Sequence, residues 1–172
     1  MSQETPSTAI GEVEQPAGET IEPAITGRVV LTAMTGGLIG TVLMLPILVG
    51  IPELLGLFLT EPITRFAGIA LFFGFEPSVA LGVVLFGMGG VFVLPITFVV
   101  VGAFLPPEEP EYLRGVSFAT LYWVGFVPAF WPDQSIAVVA SFLLFSLAAH
   151  WVYGLVLGFT LDRFAEIPQH EV

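Results

Sequence analysis

The sequence contains no cysteine and no lysine. Without cysteine the chain has no disulfides, no thiolate nucleophile, no Cys-ligated zinc and no Cys-held iron–sulfur cluster. Without lysine it has no Schiff-base amine and no phosphate-loop lysine. Positive charge is scarce altogether, with Arg28, Arg65, Arg114 and Arg163 set against fifteen acidic residues for a net charge of −11. That balance argues against nucleic-acid binding and against docking on anionic headgroups. Charged residues make up 11% of the chain, where soluble domains carry about 25%. There is no HExxH, no DxDxDG loop and no Ser/His/Asp set. No catalytic residue, metal ligand set or resident cofactor is therefore expected.

What the chain does have is apolar length. Hydrophobic residues reach 55% and mean hydropathy is +0.93. The expected fold is all-α, a polytopic membrane helical bundle of about four transmembrane helices plus a short interfacial or re-entrant segment. Residues 1–25 hold five glutamates and three prolines with no apolar periodicity, and read as a disordered acidic tail. They lack the basic start and following apolar stretch of a secretory signal, so the first span is expected to stay in the mature protein. Residues 164–172 read as a short C-terminal tail, leaving 26–163 as the transmembrane domain.

Spans are expected at about 29–49, 78–105, 116–131 and 136–161, none of them with an Asp, Glu, Lys or Arg. Pro46 places a kink near Met44. Tyr112, Tyr122, Trp123 and Trp131 are candidate interface anchors. Residues 51–76 are apolar on average yet carry Glu53, Glu61, Arg65 and Glu76. Two readings compete there. In the favoured one, Pro52 opens an interfacial segment over about 52–75 in which Glu61 faces Arg65 at i,i+4. In the other, the segment crosses the bilayer with that pair buried, at about 2.5–3.5 kcal/mol per charge before pairing. Four spans put Arg28, Arg114 and Arg163 on one side and Arg65 on the other, which predicts cytoplasmic termini and a multi-pass cell-membrane location. The Leu-Pro-Ile triplets in MLPILVG and VLPITFVVVG suggest an internal repeat, although matches this short also arise by chance.

His150 is the one histidine inside a span. With Gly154 and Gly158 it forms a stripe at i, i+4 and i+8, and Gly154/Gly158 and Gly36/Gly40 are small-xxx-small pairs suited to close helix packing. The simplest role for His150 is a packing residue hydrogen-bonded to a neighbouring helix. A proton relay, cofactor ligand or substrate contact is the functional alternative. Glu53, Glu61 and Arg65 are read first as solvated or interfacial charge, with a cation entry site as the alternative.

The motif HWVYGLVLG from His150 to Gly158, together with GGLIGTVLMLP in the first span, resembles small multi-span membrane proteins of unknown function found in haloarchaea and some bacteria. The resemblance covers about residues 28–160 and groups His150, Tyr153, Gly154 and Gly158 as a unit. Some such proteins accompany respiratory complexes. A halophilic archaeal source fits acid-rich, lysine-free loops facing screened, high-salt water. Three functions follow as expectations. The first is a non-catalytic structural or accessory subunit, packed in the lipid bilayer against itself as a homo-oligomer or against a partner membrane protein. The second is a small oligomeric transporter or channel using His150. The third is a haem- or quinone-associated respiratory component.

Overall fold

A computed structural model describes residues 25–165, so the expected tails lie outside the described residues except at Ile25, Phe164 and Ala165. The described residues contain helices and no strand. Helix α1 spans Gly27–Leu54, α3 spans Val79–Phe104 and α5 spans Ile136–Phe164, and all three are long and apolar enough to cross a membrane. Between α1 and α3 lies α2, Glu61–Phe66, continued by a 3-10 stretch over Ala67–Phe73. Helix α4, Arg114–Ala129, has 16 residues, about 24 Å of rise, and falls short of the other three. The four long helices run alternately up and down. One end of the molecule gathers the start of α1, the 105–113 connection and the end of α5, as Arg28 shows by donating to the carbonyl of Phe164 at 2.8 Å. That cation complements the C-terminal end of the α5 dipole.

The first helix is longer than the expected 29–49 span, because the chain does not break at Pro52. A π-helical turn over Pro46–Gly50 widens the helix, closes with Ile51 N–H on the Pro46 carbonyl, and passes into the last turn, Ile51–Leu54. Glu53 therefore ends α1 and does not open an interfacial segment. The reorientation comes at Gly56, whose positive φ of 66° suits glycine. An equivalent π turn occupies Gly89–Val93 in α3, closed by Leu94 N–H on Gly89 and followed at once by Pro95. Each π turn thus precedes an apolar residue and a proline, Ile51-Pro52 and Leu94-Pro95. The Leu-Pro-Ile triplets seen in the sequence are not structurally equivalent, since Pro46 begins its π turn and Pro95 follows its own.

Lipid is as apolar as the side chains, so helices associate through close packing and not through a hydrophobic drive. Glycines supply the approach, all within the chain. A Cβ on Gly36 would meet Thr160, and one on Gly40 would meet Tyr153. Cβ atoms on Gly154 and Gly158 would run into the backbone of Gly115 and Tyr112. On α2, Ile63 presses its carbonyl on Gly82 of α3. Both glycine pairs singled out in the sequence are consequently occupied by the chain's own helices, with α5 between α1 and α4. Two indole bonds lace α4 to α5 in opposite directions: Trp123 Nε1 donates to Ser146 Oγ at 2.9 Å, and Trp151 Nε1 to Thr120 Oγ1 at 3.1 Å. Trp123 is thereby a tie between α4 and α5.

Replacing Gly154 by Ala is expected to cost about 1–3 kcal/mol, because backbone and not a side-chain tip must move. Gly87→Ala, where an added Cβ meets nothing within 4 Å, is expected to be neutral or stabilising by up to about 1 kcal/mol. Detergent-titrated unfolding followed by tryptophan fluorescence reads both, and equal losses would show that the α4–α5 crossing is not tight.

Candidate functional site

Pro95 has no N–H, so the turn before it leaves carbonyls without helical donors. In a π turn continued from Leu94 to Gly89, the next acceptor in line is Gly90. Its carbonyl instead receives the hydroxyl of Tyr153 from α5 at 2.7 Å, and the Tyr153 ring is fully buried. The bond requires α1 to come close as well. Gly37 leaves room for the Gly90 carbonyl and the Pro95 ring, and Gly90 leaves room for Thr41 Oγ1. That hydroxyl is buried and without a hydrogen-bond partner. Three helices meet here, held by missing Cβ atoms and one phenol.

One turn from Tyr153 on α5 is His150, 5% exposed. Its Nδ1 lies 2.7 Å from the carbonyl of Ser146. A carbonyl can only accept, so Nδ1 carries the proton and, in the neutral ring, Nε2 presents a lone pair. Ser146 is fixed in turn by Trp123. The Phe126 ring of α4 sits 4.7 Å from the imidazole. His150 and Tyr153 line a cavity of about 440 Å³ whose walls include Met44, Gly90 and Phe126 and which opens to the surface beside the exposed residues Leu121, Tyr122, Gly125 and Ala129 of α4. Nε2 has no hydrogen-bond partner among the described residues and is not sealed off from that space.

A second cavity, about 290 Å³, lies toward the α2 end, lined mainly by apolar residues of α1, α3, α4 and α5, by residues 57–60 and by Pro62 and Ile63 of α2, with Ser146 and the unpartnered hydroxyl of Ser141 among them. The two share Phe86, Phe126 and Phe130. These rings form a partition: Phe126 stacks on Phe130 at 4.3 Å, and Phe86 meets both edge-on at 6.3 and 6.0 Å. No Asp, Glu, Lys or Arg lines either cavity. Toward the arginine end the interior is filled by Phe98, Phe118, Leu157 and Leu161, each 1% exposed or less.

His150 and Tyr153 come together, as the motif implied, and Gly154 and Gly158 hold their helix close. Glu53, Glu61 and Arg65 do not join them. Glu61 and Arg65 are exposed and lie 3.5 Å apart at i,i+4 on α2, and Glu53 is exposed at the end of α1. None of the three lines a cavity. Sequence reading missed Ser146, the phenylalanine partition, Thr41 and Gly115. Two of these carried a signal: Ser146 lies at i−4 from His150, and Gly115 with Ala119 is a small-xxx-small pair. Among the described residues no group of three His, Asp or Glu gathers in metal-binding geometry.

The class is an all-α membrane protein, with three helices long and apolar enough to span a bilayer and a pocket, open on one side, edged by one histidine. A model described as Family of unknown function (DUF6789) matches residues 27–172, and the chain belongs to that family. No curated protein and no solved structure matches it.

Tyr153→Phe strands the Gly90 carbonyl in an apolar interior and is expected to cost about 0.6–1.7 kcal/mol, the range for hydrogen bonds between membrane helices. Thr41→Val removes an unpaired buried hydroxyl at nearly constant shape and is expected to be neutral or to stabilise by about 1 kcal/mol. Unfolding midpoints in one detergent decide; loss of stability in Thr41→Val would mean that this hydroxyl has a partner.

Proposed function

We propose that this chain is a non-catalytic accessory protein of the membrane that holds an uncharged, lipophilic small molecule in the cavity beside His150. The observation that carries the reading is a buried histidine with one nitrogen tied to Ser146 and the other open to an apolar space of about 440 Å³. The size falls in the usual range for small-molecule sites, about 300–1,000 Å³. A charged ligand fits poorly, since it would lose its hydration with no opposite charge in the lining. Haem meets the same objection through its propionates.

The accessory role rests on the same chemistry. One histidine without a neighbouring carboxylate or second base supplies no acid–base pair. A through-path is disfavoured for one chain, because the interior beyond the cavity is filled by Phe98, Phe118, Leu157 and Leu161. The glycine stripes no longer argue for a partner, being used internally; a partner or second copy would sit on the lipid-facing sides. In this reading α4 is a fourth pass, shorter than its neighbours and flanked by the arginine-end loop and by Trp131, and both termini are cytoplasmic with Arg28, Arg114 and Arg163.

Native purification in high salt and mild detergent, followed by solvent extraction and mass spectrometry, is expected to give a lipophile near one per chain. Gly125→Leu, which adds a branched side chain at the open edge of the cavity where an added Cβ meets nothing within 4 Å, is expected to lose it and remain folded. Retention of the same lipophile by Gly125→Leu would remove the cavity from the account. The cysteine-free chain also permits a topology test. Glu108→Cys and Gln134→Cys are expected to react with an impermeant maleimide from opposite sides of sealed vesicles, Glu108 from the cytoplasmic side; labelling from the same side refutes four passes.

A further inference from the structure

The cavities, the exposed charge on α2, the lipid-facing aromatics near Phe72 and the unpartnered hydroxyls of Thr41 and Ser141 all leave a residue to explain, but the geometry at His150 specifies a ligand most closely. We infer that the site binds a membrane-soluble phenol or hydroquinone whose hydroxyl donates a hydrogen bond to His150 Nε2, a proposal that rests on the cavity reading above and names the chemistry it selects.

The argument begins with the tautomer. Nδ1–H is committed to the Ser146 carbonyl at 2.7 Å, a backbone group of the same helix whose position the helix fixes, so turning the ring over would break this bond. The neutral imidazole therefore offers an acceptor to the cavity. A ligand that only accepts, such as a quinone carbonyl, an ester or an ether, finds no donor at Nε2. A hydroxyl does. The Tyr153 hydroxyl cannot take its place, because its proton goes to Gly90 at 2.7 Å.

The walls then select the body that carries the hydroxyl. Phe126 stands 4.7 Å from the imidazole and stacks with Phe130, with Phe86 edge-on to both. Aromatic faces and edges at these distances favour a planar ring as occupant. The absence of charge from the lining selects a neutral head over a phospholipid or a fatty carboxylate. Beyond the partition the second cavity, about 290 Å³ and equally without charge, gives room for an apolar substituent.

The test uses the full chain in lipid nanodiscs, with empty nanodiscs to subtract partitioning, and two probes of one shape, 2-naphthol and its methyl ether, measured by equilibrium dialysis. Wild type is expected to bind 2-naphthol about tenfold more tightly than the ether, the factor that one hydrogen bond of ordinary net strength supplies. His150→Phe is expected to lose that preference while still binding the ether. His150→Gln, which keeps an acceptor, is expected to retain part of it, and so separates recognition from loss of folding. Gly125→Leu is expected to bind neither probe. Equal wild-type affinity for both probes overturns the phenol inference and leaves the cavity reading standing. Failure of wild type to bind either overturns both. A porphyrin absorption band in the protein as isolated, lost in His150→Ala, overturns the inference in favour of a metal ligand at Nε2.

Discussion

A carbonyl that loses its donor inside a bilayer has no water to turn to, and another donor must be brought to it. Pro95 and the π turn before it create that situation at Gly90, and Tyr153 answers it from another helix. Much of the packing follows from this single bond. For the phenol to reach, α5 must lie against α3 with Gly40 of α1 giving way to the Tyr153 ring, and Gly37 must give way to the Gly90 carbonyl itself. The small residues of the first span are thus spaced to let α1 accommodate a bond made by two other helices. The unpaired Thr41 hydroxyl is the local cost of that approach, filling the space where Gly90 has no side chain.

Because Tyr153 fixes the rotation of α5, it also fixes what α5 shows to its other neighbours. Gly154 is the next residue and turns toward Gly115 of α4, while Leu157 and Thr160 meet α1 near Gly36. His150, three residues before Tyr153, must then face the space between α3 and α4. The indole bonds from Trp123 and Trp151 hold α4 at the same height, and the first of them reaches the serine whose carbonyl orients the imidazole. Backbone satisfaction, helix packing and the orientation of the histidine are in this sense one problem with one solution.

The apolar runs made the helical membrane class and three of the long helices legible from composition alone, since 20 or so uncharged residues have few other uses. The stripe from His150 to Gly158 was legible as a unit, because helical periodicity puts those residues on one face. Its partner was not. A small-xxx-small pair announces a close approach without saying to what, and here the answer was Gly115 and Tyr112 of the same chain. The end of α1 was misread for a related reason. Proline is ordinarily a boundary, but a preceding π turn shifts the hydrogen-bond register, and the helix continued through Pro52 to Leu54. The cavity had no sequence signal at all, as it depends on where side chains do not reach.

That dependence has a geometric origin. Helices drawn together by glycines at one level diverge away from it, and the gap between them widens with distance from the crossing. Near the arginine end the gap is closed by backbone contact at Gly115, Gly154 and Gly158 and by the large side chains of Phe98, Phe118 and Leu161. Toward the α2 end the same helices have moved apart, and Phe86, Phe126 and Phe130 bridge the interval without filling it. Filling it with larger aliphatic residues would have been the simpler route to stability. Instead glycine stands at positions 89 and 125 on the cavity wall, where an added Cβ would touch nothing within 4 Å. Neither glycine is required by a close approach of backbones, unlike Gly115 or Gly154. Gly125 is exposed at the mouth of the pocket and Gly89 half-buried on its wall, so the way from the surface to the oriented histidine carries no large side chain at these two positions.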